Sequence, residues 1–162
     1  MRTDEQPNYA GFWRRTAATL IDTVIFMLLT LPLLYIAYGA AYFSPDPAAP
    51  LVAGGADIFI NYILPLIIVV LLWVKLGATP GKMLLNCKVV DARTGQLPGV
   101  GQSILRYFAY LISTLPLMLG FLWIAWDKRK QGFHDKIAGT VVLHVIPSEA
   151  DKSLEQLISE TK

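Results

Sequence analysis

The sequence predicts an all-α membrane protein: a small transmembrane helical bundle with two clear spans, a broken or re-entrant third hydrophobic region, and a small cytoplasmic β element. Three observations predict it. Of the 162 residues, 54% are hydrophobic and 16% charged, and the mean hydropathy of +0.49 lies outside the usual range of soluble domains. Two apolar runs of about twenty residues each suffice, at about 1.5 Å per residue, to cross a hydrocarbon core of about 30 Å. Lys and Arg gather at one set of ends of those runs, the asymmetry that marks the cytoplasmic side.

The first run extends from Thr16 to about Tyr38. Basic residues precede it and small residues follow, as in a secretory signal, but it is longer than a signal's apolar core and carries Asp22, so it reads as a retained anchor. The second, Ile58 to Leu76, contains Pro65, which predicts a kink. Between them, residues 41–57 are rich in Pro, Gly and Ala and hold no Lys or Arg. The next connection carries Lys75, Lys82, Lys88, Arg93 and Arg106. This places the N-terminus, with Arg2, Arg14 and Arg15, in the cytoplasm and the Pro-rich loop outside.

The third region, Ile104 to Trp126, would carry Lys128, Arg129, Lys130 and Lys136 outside if it crossed straight. Pro116 and Gly120 near its middle allow it to enter and return as two short helices. A full third span fits its length better and the charges worse. In the loop before it, residues 86–99 alternate branched positions ahead of Thr94-Gly95, predicting a local hairpin, and Ala138–Ile146 predicts another strand. No repeat divides residues 1–146, read as one domain. A short polar tail, 147–162, has Leu154, Leu157 and Ile158 on one helical face.

On a helix, Arg15 and Asp22 lie seven residues apart and face almost the same way, with the small Ala18 and Thr19 between them. This stripe is expected to face protein, whereas Leu20 and Val24 can meet lipid. The axial rise of roughly 10 Å exceeds what the two side chains bridge comfortably, so each needs another partner. Arg106 is the candidate for Asp22, and Asp127 or Asp135 for Arg15. An ionised aspartate in mid-span costs about 2.5–3.5 kcal/mol on the insertion scale, so it must be paired, hydrated or protonated. The cluster can lock helices in register, or Asp22 can bind or relay a cation or proton. Arg14 is rotated away and should snorkel to headgroups, with Phe12, Trp13, Trp123 and Trp126 in interfacial belts.

Three blocks, YAGFWRRTAATLID, GATPGKMLLNCKVVDARTGQLP and DKRKQGFHDKIAGTVV, in that order, resemble the RDD family of small bacterial integral membrane proteins, over Tyr9 to Val145. The resemblance implies that Arg15, with Arg14 as the adjacent alternative, is the family arginine. It implies that Asp22 is the first family aspartate and Asp135 the second, with Asp127 the alternative. It also implies a bacterial inner-membrane location, and a transport-related role of undefined substrate.

Other motifs carry less. GATPGKM has three residues between its glycines and Met after its lysine, so it is not a phosphate loop. Gly77, Pro80 and Gly81 instead predict a tight exit from the second span, leaving Lys82 at the headgroups. Two histidines, His134 and His144, with no Cys or Glu cluster fall short of a metal-ligand set. Asp135 is expected to cap a segment or pair with Arg15, with His134 tuning that contact. The lone Cys87 forms no internal disulfide, no nucleophile–base pair is legible, and no cofactor is implied. The net charge of +2 is too small to argue for nucleic acid. The expectation is a non-enzymatic protein in the lipid bilayer whose Arg15, Asp22, Asp135, Arg106 and Asp127 supply a polar cluster, moving a cation or small solute as a homo-oligomer or with another membrane protein. The alternative is a non-transporting scaffold or assembly subunit.

Overall fold

Two long apolar helices run side by side, and the rest of the chain folds back on the end where the first begins and the second finishes. The computed structural model describes residues 8–44, 50, 52–114 and 119–145; the tail expected over 147–162 lies outside them. The first span is α1 (Phe12–Tyr38). The second comprises α2 (Gly55–Ile58), a π-helical turn (Phe59–Ile63) and α3 (Leu64–Leu76). Pro65 explains the π turn: its ring nitrogen cannot donate to the preceding turn, and the helix relaxes by one residue just ahead of it. Large apolar side chains on the outer faces of both spans, among them Leu20, Leu28, Ile36, Ile67 and Leu71, are exposed, the belt required of a surface facing hydrocarbon.

The second span stops at Gly77, whose φ of 72° in the left-handed region suits glycine and whose N–H caps Trp73 O at 3.0 Å. After it come the short α4 (Pro80–Leu84) and β1 (Cys87–Asp91). β1 pairs antiparallel with β2 (Thr140–His144), in the register Cys87↔His144 to Asp91↔Thr140. The local hairpin expected over 86–99 does not form. The Asp91 carboxylate accepts the N–H groups of Arg93 and Thr94 at 2.8 and 2.9 Å, which bends the chain. Asp91 N then bonds Gln96 O, but Pro98 has no N–H to continue a ladder, and α5 (Val100–Thr114) follows. The extended Asn8–Ala10 lies along β2, with Ala10 N to Val142 O at 2.9 Å and His144 N to Asn8 O at 2.7 Å. The ribbon thus gathers all three sequence blocks. Beneath it Trp73, Cys87, Val89 and Val142 form the main buried apolar cluster.

The third hydrophobic region is not one straight span. After α5 the chain bends by 112° into α6 (Leu119–Leu122) and a 3₁₀ turn, Trp123–Ala125. It then comes back along α5 as α7 (Phe133–Ala138): His134 meets Ser113, and Gly139 O accepts Gln102 Nε2 at 3.1 Å near the start of α5. The return depends on Gly120, because a Cβ there would stand 2.6 Å from Ser113 Cα and 2.9 Å from its Cβ. Gly101, in contrast, faces open space on α5. We expect Gly120→Ala to cost about 1–3 kcal/mol through overpacking, and Gly101→Ala to be neutral or stabilising by about 0.5–1 kcal/mol. Thermal midpoints of the purified variants in detergent check both.

Candidate functional site: a buried arginine–aspartate cluster

The family-type charges converge beside the ribbon. Arg15, on the first turn of α1, donates Nη2–H to Asp135 Oδ2 at 2.5 Å and Nη1–H to the Lys130 carbonyl at 2.6 Å. Arg106, 0% exposed on α5, pairs with the other oxygen of Asp135 and donates to Thr140 Oγ1 on β2. Asp135 Oδ2 also accepts Gly132 N–H at 2.9 Å, capping α7 from its first turn. One fully buried carboxylate therefore binds α1, α5 and its own helix, and through Thr140 the ribbon. The expected pairing of Arg15 with Asp135 is found, and Arg15 is the buried member of the Arg14–Arg15 pair. Arg14 is exposed and reaches the His144 ring, 2.6 Å from Nδ1, at the end of β2.

Two expected pairings are corrected. Arg106 is bound to Asp135, not to Asp22. Asp127 pairs with Lys136 at 2.6 Å and caps the 127–131 turn, accepting Arg129 N and Gln131 N, so it does not meet Arg15. Of the two alternatives for Arg15 the structure has Asp135 and not Asp127, because α7 runs antiparallel to α5 and places Asp135 beside the start of α1, where Arg106 also reaches it.

Asp22 is 8% exposed and faces protein, as the stripe predicts. Its partners are Thr79 Oγ1–H at 2.5 Å and Gly81 N–H at 2.7 Å. These groups form the start of α4, and Asp22 acts as a cap supplied from another helix. The approach needs two small residues: a Cβ on Gly81 would lie 2.2 Å from the carbonyl of Ala18. The Thr-Pro pair at 79–80, an N-cap residue before a first-turn proline, was the available signal for α4.

Lys82 is also corrected. It is not at the surface but 6% exposed, its ammonium 5.5 Å from the centroid of the Trp73 ring. Among the described residues it makes no ion pair and no hydrogen bond. It stands between two cavities. One, of about 220 Å³, touches Asp22, Thr79, Trp73 and Tyr107. The other, of about 380 Å³, lies between α1 and the returning α6–α7 segment and is lined by Arg15, Lys82, Tyr110 and His134. Phe12, Leu20, Phe121 and Ile124 make its apolar walls. A second polar group, missed from the sequence, sits at the far end of the bundle. There Asp57 accepts hydrogen bonds from Tyr42 Oη, Asn61 Nδ2 and Ala53 N at 2.5–2.9 Å.

His134 is packed against Tyr110 and Phe121, its ring centroid 4.4 and 5.0 Å from theirs, with Ser113 Oγ 3.1 Å from Nδ1. Burial, reinforced by Arg106, Arg15 and Lys82, holds its imidazole well below the usual histidine range against the opposing pull of Asp135. Burial would raise the carboxyl of Asp135, but Arg106 and then Arg15 outweigh it and hold it well below the usual carboxylate range.

The fold and this cluster define a small helical membrane protein whose elements are tied together by buried Arg–Asp contacts. The chain matches the RDD family over residues 9–139 and belongs to that family. It is similar to Uncharacterized protein YxaI of Bacillus subtilis, 34% identical over 148 residues covering 83% of this chain and 97% of that protein. Uncharacterized protein YckC of the same organism is 26% identical, over 94% of this chain and 96% of its own length. A proline-rich antigen homolog of Mycobacterium tuberculosis is 39% identical over 70 residues, 43% of this chain and 29% of that protein. No solved structure matches the chain.

Asp135→Asn leaves two buried guanidinium groups facing a neutral amide and should cost about 3–5 kcal/mol, as for other buried pairs with one partner removed. Acidification should destabilise the protein in two steps. Below about pH 6.5 the unfolded chain takes up a proton on His134 that the folded state refuses, and below about pH 4 it takes one up on Asp135. Unfolding in detergent across this range checks the signs: His134→Asn should flatten the upper slope and Asp135→Asn the lower.

Proposed function

We propose that the protein handles a small solute at the ribbon end of its bundle, in the cavity between α1 and α6–α7, and that the Arg–Asp cluster is the rigid charged wall of this cavity. The single observation that carries the reading is the joint lining of that 380 Å³ space by Arg15, Lys82 and His134 amid aromatic and aliphatic side chains, the make-up of a small-molecule site. The charge sign argues against a cation. Both oxygens of Asp135 are held by arginines, and both oxygens of Asp22 by Thr79 and Gly81. Asp135 is thereby neutralised, each oxygen of Asp22 already accepts one donor, and among the described buried residues of the cluster three cations outnumber two carboxylates.

In this reading the chain is a multi-pass protein of the bacterial inner membrane, with its N-terminus and ribbon in the cytoplasm, where the retained Lys and Arg favour them. It binds and does not catalyse, and moving a solute across the bilayer would take a homo-oligomer or a larger partner. A scaffold reading draws on the double pairing of Asp135, which fixes helix positions whether or not anything binds. Both leave Asp22 structural, and they differ in whether the cavity takes a solute. Vesicles containing the purified protein should show no Na⁺, K⁺ or H⁺ flux above protein-free vesicles, and Asp22→Asn should lower the thermal midpoint without changing any flux. A cation flux abolished by Asp22→Asn overturns the reading.

A further inference from the structure

Lys82 is the one charge of the cluster that the fold does not explain. Among the described residues the buried group contains three cations, Arg15, Lys82 and Arg106, and two carboxylates, Asp22 and Asp135. Arg15 and Arg106 share Asp135, and Asp22 accepts Thr79 Oγ1–H and Gly81 N–H. Lys82 makes no ion pair with Asp22, although both border the smaller cavity. Among the described residues the Lys82 ammonium stands over the Trp73 ring with no acceptor of its own, at the edge of the cavity. Nearby donors are in surplus too: Arg106 Nε and Nη2 and Trp73 Nε1 are buried without acceptors among the described residues, and the Arg106 guanidinium carbon stands 5.1 Å from the Trp73 centroid. Around Lys82, among the described residues, positive charge and N–H donors therefore exceed the acceptors that meet them.

The space that Lys82 faces is two-natured. Its inner wall is cationic, formed by Lys82 and Arg15. Its apolar walls are Phe12, Leu20, Phe121 and Ile124, of which Leu20 is 64% exposed on the apolar belt. A ligand entering past Leu20 would come from the bilayer and not from water. Resting on the solute-binding reading above, we propose that this cavity binds an anionic amphiphile of the surrounding leaflet, its phosphate or carboxylate against Lys82 and Arg15 and its hydrocarbon chain leaving between α1 and α6. The acid end neutralises the spare charge. The chain covers apolar walls that a free inorganic anion would leave without contact.

The test uses the full chain purified in dodecyl maltoside, with binding followed by titration of dodecyl phosphate. Dodecanol and inorganic phosphate are the separate arms for tail and head. Saturable binding of dodecyl phosphate is expected, at least about 30-fold tighter than either control, since each wall contributes free energy that the controls lack. Lys82→Gln should weaken it by about 30-fold, the scale of one charge-assisted hydrogen bond, while Lys82→Arg should retain it. The ligand-free thermal midpoint of Lys82→Gln should be unchanged or higher, because an unpaired buried charge is removed; a lowered midpoint with dodecyl phosphate affinity intact makes Lys82 structural and overturns the proposal. Equal affinity for inorganic and dodecyl phosphate overturns the amphiphile but leaves the solute-binding reading standing. Equal affinity for dodecanol overturns the anion. If none of the three binds, both fall.

Discussion

The structure depends on one carboxylate. Asp135 is wholly buried, and its two oxygens take guanidinium groups that arrive from helices 91 residues apart in sequence, Arg15 on α1 and Arg106 on α5. Such an arrangement is costly to assemble, because three charges leave water or headgroups together. Once assembled, it is equally costly to half-undo. That asymmetry is how a short chain with a thin apolar core of its own can hold α1, α5, α7 and β2 in one arrangement. In a bilayer, apolar side chains are as well solvated by lipid as by each other, so hydrophobic burial does not choose which helix faces which. Specific polar contacts have to choose.

Asp22 meets the same need by a different route. It is held by a hydroxyl and a backbone N–H at the start of α4, and no arginine is required. The first turn of a helix presents N–H groups without internal partners, and inside a membrane no water satisfies them. A carboxylate reaching across from α1 settles both deficits: the charge finds donors, and the donors an acceptor. The close approach of Gly81 to the Ala18 carbonyl makes the reach possible. An acid within an apolar run is thus explained by the exposed backbone of a neighbouring helix end, without any appeal to ion movement.

Much of this was legible in the sequence. The two spans, the interruption of the third region and the strand near residue 140 follow from length, breakers and β-branched residues. The protein-facing stripe of Arg15, Ala18 and Asp22 follows from helical spacing alone; Thr19, expected in the same stripe, is instead exposed. Partner choice was not legible. Arg106 was matched to Asp22 because both belong to apolar runs, but pairing is decided by the antiparallel return of α7 along α5, a property of topology that no local pattern carries. The hairpin after Cys87 failed for a related reason. Branched alternation identifies a strand and not its mate, and the mate arrives about 50 residues later. Lys82 was placed with the headgroups because lysines near span ends usually snorkel; that rule does not anticipate a tight turn at Gly77 that directs the following helix back under the bundle.

The distribution of charge also separates the two ends of the molecule. At the far end, Asp57 is enclosed by Tyr42, Asn61 and the Ala53 N–H, all neutral donors from within residues 42–61. Among the described residues, these contacts fold the loop onto the second span. At the ribbon end the account does not close in the same way, because among the described residues two buried carboxylates face three buried cations and the odd cation borders a cavity. A purely architectural cluster would be more stable with Gln or Met at position 82, which would keep the packing on Trp73 without a buried charge. The ammonium there, beside an apolar-walled cavity bordered by the exposed Leu20, is the feature that helix locking leaves over and that the proposed anion would complete.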